Sequence, residues 1–405
     1  MAITSTVFSV GFRPFFLFAG GYGALAVGAW AGWLGGLWDL PQVYPASQLH
    51  AHEMMYGFAL AAIAGFLLTA VPQWIGGRPL RGVGLAALAG SWLLGRLAML
   101  GAGAVGPTAA MALDMIFPLA LCAVIGAMLL GAGNRRNYGF IAILALAALG
   151  NLLWHLDISG LVGEWVENLA ESAQQLMLNL LLLIVAIMGG RVIPMFTANW
   201  LGRQGETLAM RHPVWLQRGC LGGLVAVALS EFLAPHVAPY VDLVDDRLTG
   251  ALALATGIAL LARLWGWNGH RSLAHPLVWI LHLAYFWLGL ALLAKAGFYL
   301  DAGIPATAAR HAAAMGAVGG MIMAIMPRVS LGHTGRELIL PRPMLAAYAL
   351  YVAAPILRVA SPFLDGEWYQ AALLASGLSW SLAFAIFLYT FAPMLWAPRA
   401  DTATI

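Results

Sequence analysis

The chain has 405 residues, of which 62% are hydrophobic and only 9% are charged. Soluble domains carry roughly 25% charged residues, so the composition excludes both a water-soluble globular protein and a disordered one. The formal net charge is +3 and the basic residues form no patch, which excludes nucleic acid as a partner.

Apolar stretches follow one another along the whole chain, with short loops between them. A membrane-spanning helix needs about 20 mainly apolar residues. The sequence therefore predicts an all-α integral membrane protein with about twelve transmembrane helices, a single polytopic domain over residues 1–405 in the lipid bilayer. No short apolar region precedes the first span, so we expect no cleavable signal. The predicted spans are 15–37, 49–73, 83–101, 107–130, 140–157, 171–195, 213–233, 247–266, 275–299, 307–329, 343–360 and 370–396.

Charged residues are distributed unequally between the two sides of the predicted bundle. One side holds most of the arginines, including Arg78 and Arg203, whereas the opposite loops hold acidic residues such as Asp365. Short loops rich in Lys and Arg remain cytoplasmic. We therefore expect both termini in the cytoplasm and the segments 38–48 and 158–170 outside.

The second, sixth and tenth predicted helices each contain a proline near one end, followed by a basic turn. These prolines are Pro72, Pro194 and Pro327, and we expect each to stop its helix. The spacing suggests three pseudo-repeats of four helices, although many unrelated membrane helices also end this way. A bundle of three groups of four helices resembles the catalytic subunits of haem–copper oxidases and nitric oxide reductases. In those subunits, helices 2 and 10 carry histidines around a haem.

Histidines open the two helices that this analogy selects. His52 lies at the predicted outer end of the second helix, and His311 lies at the same end of the tenth. Ionisable groups within a membrane are usually functional, and imidazole binds haem iron and copper. We interpret His52 and His311 as candidate axial ligands of haem b. The alternative is that both are hydrogen-bonded histidines at a membrane interface.

Three other histidines fall at or near the predicted outer face: His50, His155 and His236. His50 lies about 200° from His52 around a helix, so the two cannot face one metal unless the helix begins between them. The chain contains no Cys-x-x-Cys-His string, which excludes a covalently attached c-type haem.

Further ionisable groups lie inside predicted spans. Arg96 and Asp114 fall at similar depth on consecutive helices, which predicts a buried ion pair. The alternative is that Arg96 or Arg310 binds a haem propionate. Glu53 follows His52 directly, and we nominate it for proton delivery, with a hydrogen bond to a ligand histidine as the alternative.

Five strings occur in order along almost the whole chain: 11–16 (GFRPFF), 50–54 (HAHEM), 134–138 (NRRNY), 190–197 (GRVIPMFT) and 328–336 (RVSLGHTGR). Together they resemble the NnrS family. The resemblance implies a haem- and copper-containing protein of the bacterial inner membrane, associated with nitric oxide metabolism, denitrification and resistance to nitrosative stress. Copper is then the second predicted cofactor, with candidate ligands among His50, His155 and His236. His333 falls within the last string, where it is either a metal ligand of a second site or a residue that fixes a turn, and we favour the turn.

The leading functional hypothesis is a haem protein that binds nitric oxide and reduces it to nitrous oxide. This oxidoreductase reaction needs an electron donor, such as a quinol or a small redox protein. The alternatives are a non-catalytic nitric oxide sensor, a haem- or metal-handling protein, and a transporter. Transporter sites usually lie near the bilayer midplane at broken helices, whereas the histidines here gather toward one face.

Overall fold

The computed structural model describes residues 6–39, 43–162, 168–206, 213–237 and 245–402. These residues are helical apart from turns and short connections, and they contain no strand, which confirms the predicted all-α class. In a bilayer, backbone donors and acceptors must be satisfied within the segment, and a helix achieves this. Part of the predicted outer segment 158–170 lies outside the described residues.

Twelve helices in this part of the chain are long and apolar enough to cross a membrane, as predicted, so the protein is a multi-pass membrane protein. Shorter helical turns lie at Ala102–Val105, Arg135–Asn137, Gly269–Ser272, Ser361–Phe363 and Ala400–Thr402. The twelve are α1 (Phe12–Leu34), α2 (Ala46–Ile75), α3 (Val83–Leu100), α4 (Pro107–Gly131), α5 (Gly139–Ile158), α6 (Leu169–Arg203), α7 (Val214–Val237), α8 (Asp246–Trp265), α9 (Pro276–Tyr299), α10 (Ala306–His333), α11 (Pro343–Ala360) and α12 (Gly366–Trp396).

The expectation that the three prolines stop their helices is wrong. Pro72, Pro194 and Pro327 all lie inside helices, and α6 and α10 continue well beyond theirs to Arg203 and His333. A proline removes one backbone donor, whereas an unwound end within a bilayer would leave several groups without partners. Continuing the helix therefore leaves fewer backbone groups without a hydrogen-bond partner.

Two of the helices contain a π-helical segment, and each segment begins directly after a histidine. In α2 the segment Glu53–Ala59 follows His52, and in α10 the segment Ala312–Gly319 follows His311. π-helical turns are rare, and many lie at functional sites because the extra residue rotates the side chains that follow. The shared feature agrees with the analogy between helices 2 and 10, while the pseudo-repeat itself stays a hypothesis.

The chain divides into two compact units. Unit 1 comprises residues 1–177, 329–337 and 384–405, and unit 2 comprises residues 178–328 and 338–383. Each unit has its own buried side chains, including Trp154 in unit 1 and Tyr285 in unit 2. The expectation of a single polytopic domain stays a prediction.

Within unit 1, the side chain of Arg13 in α1 contacts the backbone at the end of α12, so the two ends of the described chain meet. This side chain is only 3% exposed, and its Nη1 donates to the carbonyls of Leu395 and Ala397, each at 2.7 Å. These carbonyls lie at the end of α12, where backbone acceptors lack helical donors and the helix dipole favours a cation. Close by in the same unit, the Ala400 amide donates to the Thr334 carbonyl at 2.9 Å.

Candidate metal centre

A group of buried polar side chains lies at the centre of unit 1. α2 supplies His52 and Glu53, α3 supplies Arg96, and α4 supplies Asp114. All four are at most 6% exposed. α5 adds two more residues with no exposed surface, Asn151 and His155. These two lie four residues apart and therefore on one face of the helix.

Asp114 is the residue on which most of these contacts converge. Its Oδ2 accepts from Asn151 Nδ2 at 2.7 Å and lies 3.0 Å from His155 Nε2 and 3.3 Å from His52 Nε2. Its Oδ1 pairs with Arg96 Nη2. The predicted ion pair between Arg96 and Asp114 is therefore confirmed.

Glu53 is the second carboxylate bound by Arg96, whose Nη1 donates to Glu53 Oε1 at 2.6 Å. The same Oε1 lies 2.9 Å from His52 Nδ1. The other oxygen, Oε2, accepts a hydrogen bond from the Tyr22 hydroxyl of α1. The contact with His52 is the one that the hydrogen-bonding interpretation of Glu53 predicts.

The hydrogen-bond pattern fixes where the protons lie around His52. Asn151 must point its amide nitrogen at the Asp114 carboxylate, so its Oδ1, 2.8 Å from His52 Nε2, is an acceptor. His52 Nδ1 faces Glu53, another acceptor. With hydrogens on both ring nitrogens, His52 and Arg96 balance the two carboxylates, which is what a buried charged cluster requires.

His155 differs from His52 in having an unused nitrogen. Its Nε2 faces Asp114, while its buried Nδ1 contacts no hydrogen-bond partner among the described residues. A buried polar atom without a partner is uncommon and calls for an explanation such as a bound ion.

One ligand atom from each of His52, Asp114 and His155 lies within 4.8 Å of the other two. The three residues can therefore hold a metal ion. Two imidazoles and a carboxylate form a donor set suited to a divalent transition metal. The ligand nitrogens must release their hydrogens on binding, which removes the extra positive charge from His52.

Aromatic rings enclose the centre and keep water away from it. The Trp154 ring stacks on His52 with centroids 4.2 Å apart, and Tyr56 packs against the same ring at 4.9 Å. Trp92 packs edge-on against Tyr22 at 5.5 Å. Electrostatic interactions among the charged groups are strong in such surroundings because the local dielectric constant is low.

Of the candidate site residues, the structure brings His52, Glu53, Arg96 and His155 together. His50 does not join them: its ring stacks on Trp30 with centroids 4.4 Å apart. This agrees with the predicted angle of about 200° between residues 50 and 52 on one helix.

The remaining candidates lie elsewhere. His333 is in unit 1, where its ring packs against Phe12 at 5.6 Å, and its role in fixing a turn stays a prediction. His311, Arg310 and His236 belong to unit 2. There, His311 Nδ1 lies 2.7 Å from the carbonyl oxygen of Thr307.

The group does not fit a haem on His52 as it stands. The His52 ring has no exposed surface, and both of its nitrogens already contact hydrogen-bond partners. Any metal at His52 would displace one of these contacts, but a haem would also need room for its macrocycle beside a buried ring that Trp154 and Tyr56 already pack against. The pairing of His52 with His311 as axial ligands stays a prediction.

Sequence reasoning missed Asp114 as a residue able to hold a metal, the contact of Asn151 with both His52 and Asp114, and the hydrogen bond from Tyr22. Asp114 could have been found as a carboxylate inside a predicted span. Asn151 could have been found because it lies four residues from His155, on the same face of the helix. Tyr22 carried no signal, because a tyrosine in an apolar helix is common.

Comparison with known proteins gives one match and one negative result. No curated protein matches the chain. The family model described as NnrS protein matches residues 6–399, which is nearly the whole length. The chain therefore belongs to the NnrS family.

Proposed function

We propose that the protein binds a transition-metal ion through His52, Asp114 and His155, and that this ion acts in nitric oxide chemistry within the membrane. Membership of the NnrS family fits a nitric-oxide-related haem or metal protein. The observation that carries the proposal is the convergence of ligand atoms from three fully buried side chains on three different helices.

Copper is the ion that we propose for this centre. Imidazole and carboxylate ligands are compatible with copper, iron and zinc, and copper is the one that the family resemblance implies. When bound, copper would supply a redox-active centre for nitric oxide, held by the three ligand side chains that converge among the described residues.

The surrounding residues would position these ligands. Glu53 contacts His52 Nδ1 and so fixes the ring orientation while leaving Nε2 to face Asp114. Such contacts to ligand histidines typically change metal affinity by about 10- to 100-fold. Arg96 binds Glu53 and Asp114 together, which neutralises repulsion between two carboxylates in a dry interior.

Reduction of nitric oxide is the reaction that we propose for the loaded protein. Two nitric oxide molecules, two electrons and two protons yield nitrous oxide and water. The electrons would come from a donor of the quinol or small redox protein class. Glu53 is our candidate for proton delivery, because its Oε2 accepts the hydroxyl hydrogen of Tyr22 while Oε1 faces His52.

The haem b expected from the family resemblance is a separate part of the proposal. We retain His311 as its candidate ligand and Arg310 as a candidate propionate partner, both in unit 2. We also propose that the protein resides in the bacterial inner membrane with both termini in the cytoplasm, which the distribution of arginines supports.

Metal analysis of purified variants tests the centre. His155→Ala and Asp114→Asn should lose the bound metal, whereas His50→Ala, which alters a histidine stacked on Trp30, should retain it. Wild-type protein with a reductant should consume nitric oxide at an electrode. Tight binding without consumption would favour a sensor, and wild-type protein that binds no metal would overturn the proposal.

A further inference from the structure

A group of basic side chains lies in unit 2, near the C-terminal end of α6. Phe196, Trp200 and Arg203 occupy positions i, i+4 and i+7 on this helix, so their side chains project from one face. Arg203 is the last residue of α6 and is exposed. The face is therefore aromatic along its length and cationic at its end.

Two residues from other helices contact the aromatic part of this face. The guanidinium carbon of Arg328, on α10, lies 3.6 Å from the centroid of the Phe196 ring. The ring of His275, the residue before α9, packs against Trp200 with centroids 4.5 Å apart. Phe196 and Trp200 are one turn apart, so Arg328 and His275 lie side by side with Arg203 near them.

The positive charge of this group is not balanced by the described residues. Among them, no carboxylate lies within 4.0 Å of Arg203 or Arg328. The nearest acidic residue in sequence, Glu206, is already paired with Arg271 at 2.5 Å. A half-buried arginine within a span is costly, and its contact with an aromatic ring offsets only part of that cost.

Two polar atoms beside the arginines also have no partner. His275 Nδ1 and the Tyr348 hydroxyl are buried, and neither contacts a hydrogen-bond partner among the described residues. Tyr348, which is 1% exposed, interacts electrostatically with Arg328. Burial lowers the pKa of His275, and Arg328 and Arg203 lower it further, so all these groups share one neighbourhood.

We propose that Arg203, Arg328, His275 and Tyr348 bind a phosphate oxyanion, with the rings of Phe196 and Trp200 as its apolar floor. Guanidinium forks match the oxygens of phosphate, and a buried hydroxyl and imidazole N–H can donate to the remaining ones. Nothing in unit 1 takes part, so the site is distinct from the metal centre. The phosphate can be that of an anionic lipid headgroup or free inorganic phosphate, since the site lies where these helices end.

The test is native mass spectrometry of the detergent-purified full chain, titrated separately with phosphatidylglycerol, phosphatidylcholine and inorganic phosphate. Arg328→Gln and Arg203→Gln should each weaken binding at least about fivefold, the contribution of one basic residue near a lipid surface. Arg218→Gln is the matched control, because it removes the same charge from an exposed residue of the same unit.

The outcomes separate the two sources of phosphate. Binding of phosphatidylglycerol but not inorganic phosphate assigns a lipid, and binding of inorganic phosphate assigns a free anion. Equal binding by wild type and both site variants would overturn the proposal, as would an equal loss in Arg218→Gln. Arg203 is exposed, so its variant keeps the test valid if Arg328→Gln does not fold.

Discussion

Asn151 and Asp114 are joined by a 2.7 Å hydrogen bond, and this bond determines which atom of Asn151 faces His52. Because the amide nitrogen is committed to the carboxylate, the amide oxygen holds the hydrogen on His52 Nε2. Metal binding at the same nitrogen must displace that hydrogen, so the amide and the ion compete for His52. Asn151 is therefore a positioning residue that holds His52 and Asp114 in place until a metal arrives.

Replacing Asn151 tests this role. Asn151→Ala removes the bridge and leaves His52 and Asp114 less well placed, so metal affinity should fall about tenfold. Asn151→Asp should retain the geometry but add a negative charge, so it should bind metal at least as tightly as the wild type. Competition with a chelator of known affinity measures both. Unchanged affinity in Asn151→Ala would show that the bridge does not prepare the site.

Arg96 should be essential for stability whether or not metal is bound. Arg96→Gln leaves Glu53 and Asp114 buried without a cation, which should destabilise the protein by about 3–5 kcal/mol. Thermal unfolding in detergent shows whether the melting temperature falls and how the variants rank in stability. Adding Asp114→Asn to Arg96→Gln restores the charge balance and should recover part of the loss. If Arg96 instead served mainly a haem propionate, the second change would recover nothing.

Glu53→Gln separates proton delivery from ligand support. An amide retains a hydrogen-bonding atom for His52 but cannot carry a proton, so metal should remain while nitric oxide consumption slows by about 100-fold, as for loss of a general acid. Metal content and electrode rates are measured on one preparation. Tyr22→Phe, which removes the hydroxyl donor to Glu53, is the companion variant and should slow consumption less. Loss of metal in Glu53→Gln would assign a supporting role only.

The haem prediction can be tested apart from the metal centre. His311→Ala should abolish or shift the haem spectrum of the purified protein if His311 is an axial ligand. His270→Ala is the control, since His270 is an exposed histidine of the same unit. A native spectrum in both His311→Ala and His52→Ala would refute the analogy with helices 2 and 10 of the oxidases.

The orientation in the membrane follows from the arginine distribution. A cysteine placed at Ser159, just after α5, should react with a membrane-impermeant reagent added from outside the cell. A cysteine at Arg203, at the end of α6, should react only after the membrane is opened. The native Cys122 and Cys220 are free thiols, so both are first replaced by alanine. The reverse labelling pattern would invert the predicted topology.

The twelve helices could be predicted from the sequence, because a run of about 20 apolar residues forms a membrane-spanning helix whatever packs against it. The sequence also predicted the pairing of Arg96 and Asp114, since two opposite charges at one depth on consecutive helices have few other partners. It did not predict that His52, Asn151 and His155 meet on Asp114, because this depends on how α2, α4 and α5 rotate. The π-helical segment after His52 and the helix beyond Pro194 depend on packing in the same way.

The contacts of Arg13 have a consequence for biosynthesis. Its carbonyl partners, Leu395 and Ala397, emerge from the ribosome more than 380 residues later, as the sequence separation shows. Through most of translation, α1 therefore lacks the acceptors that Arg13 has in the folded protein, and this contact of unit 1 cannot form until α12 is inserted. A chain that stops before residue 384 lacks the last segment of unit 1 and should be recognised as incomplete and degraded, even though all six metal-centre residues have been made.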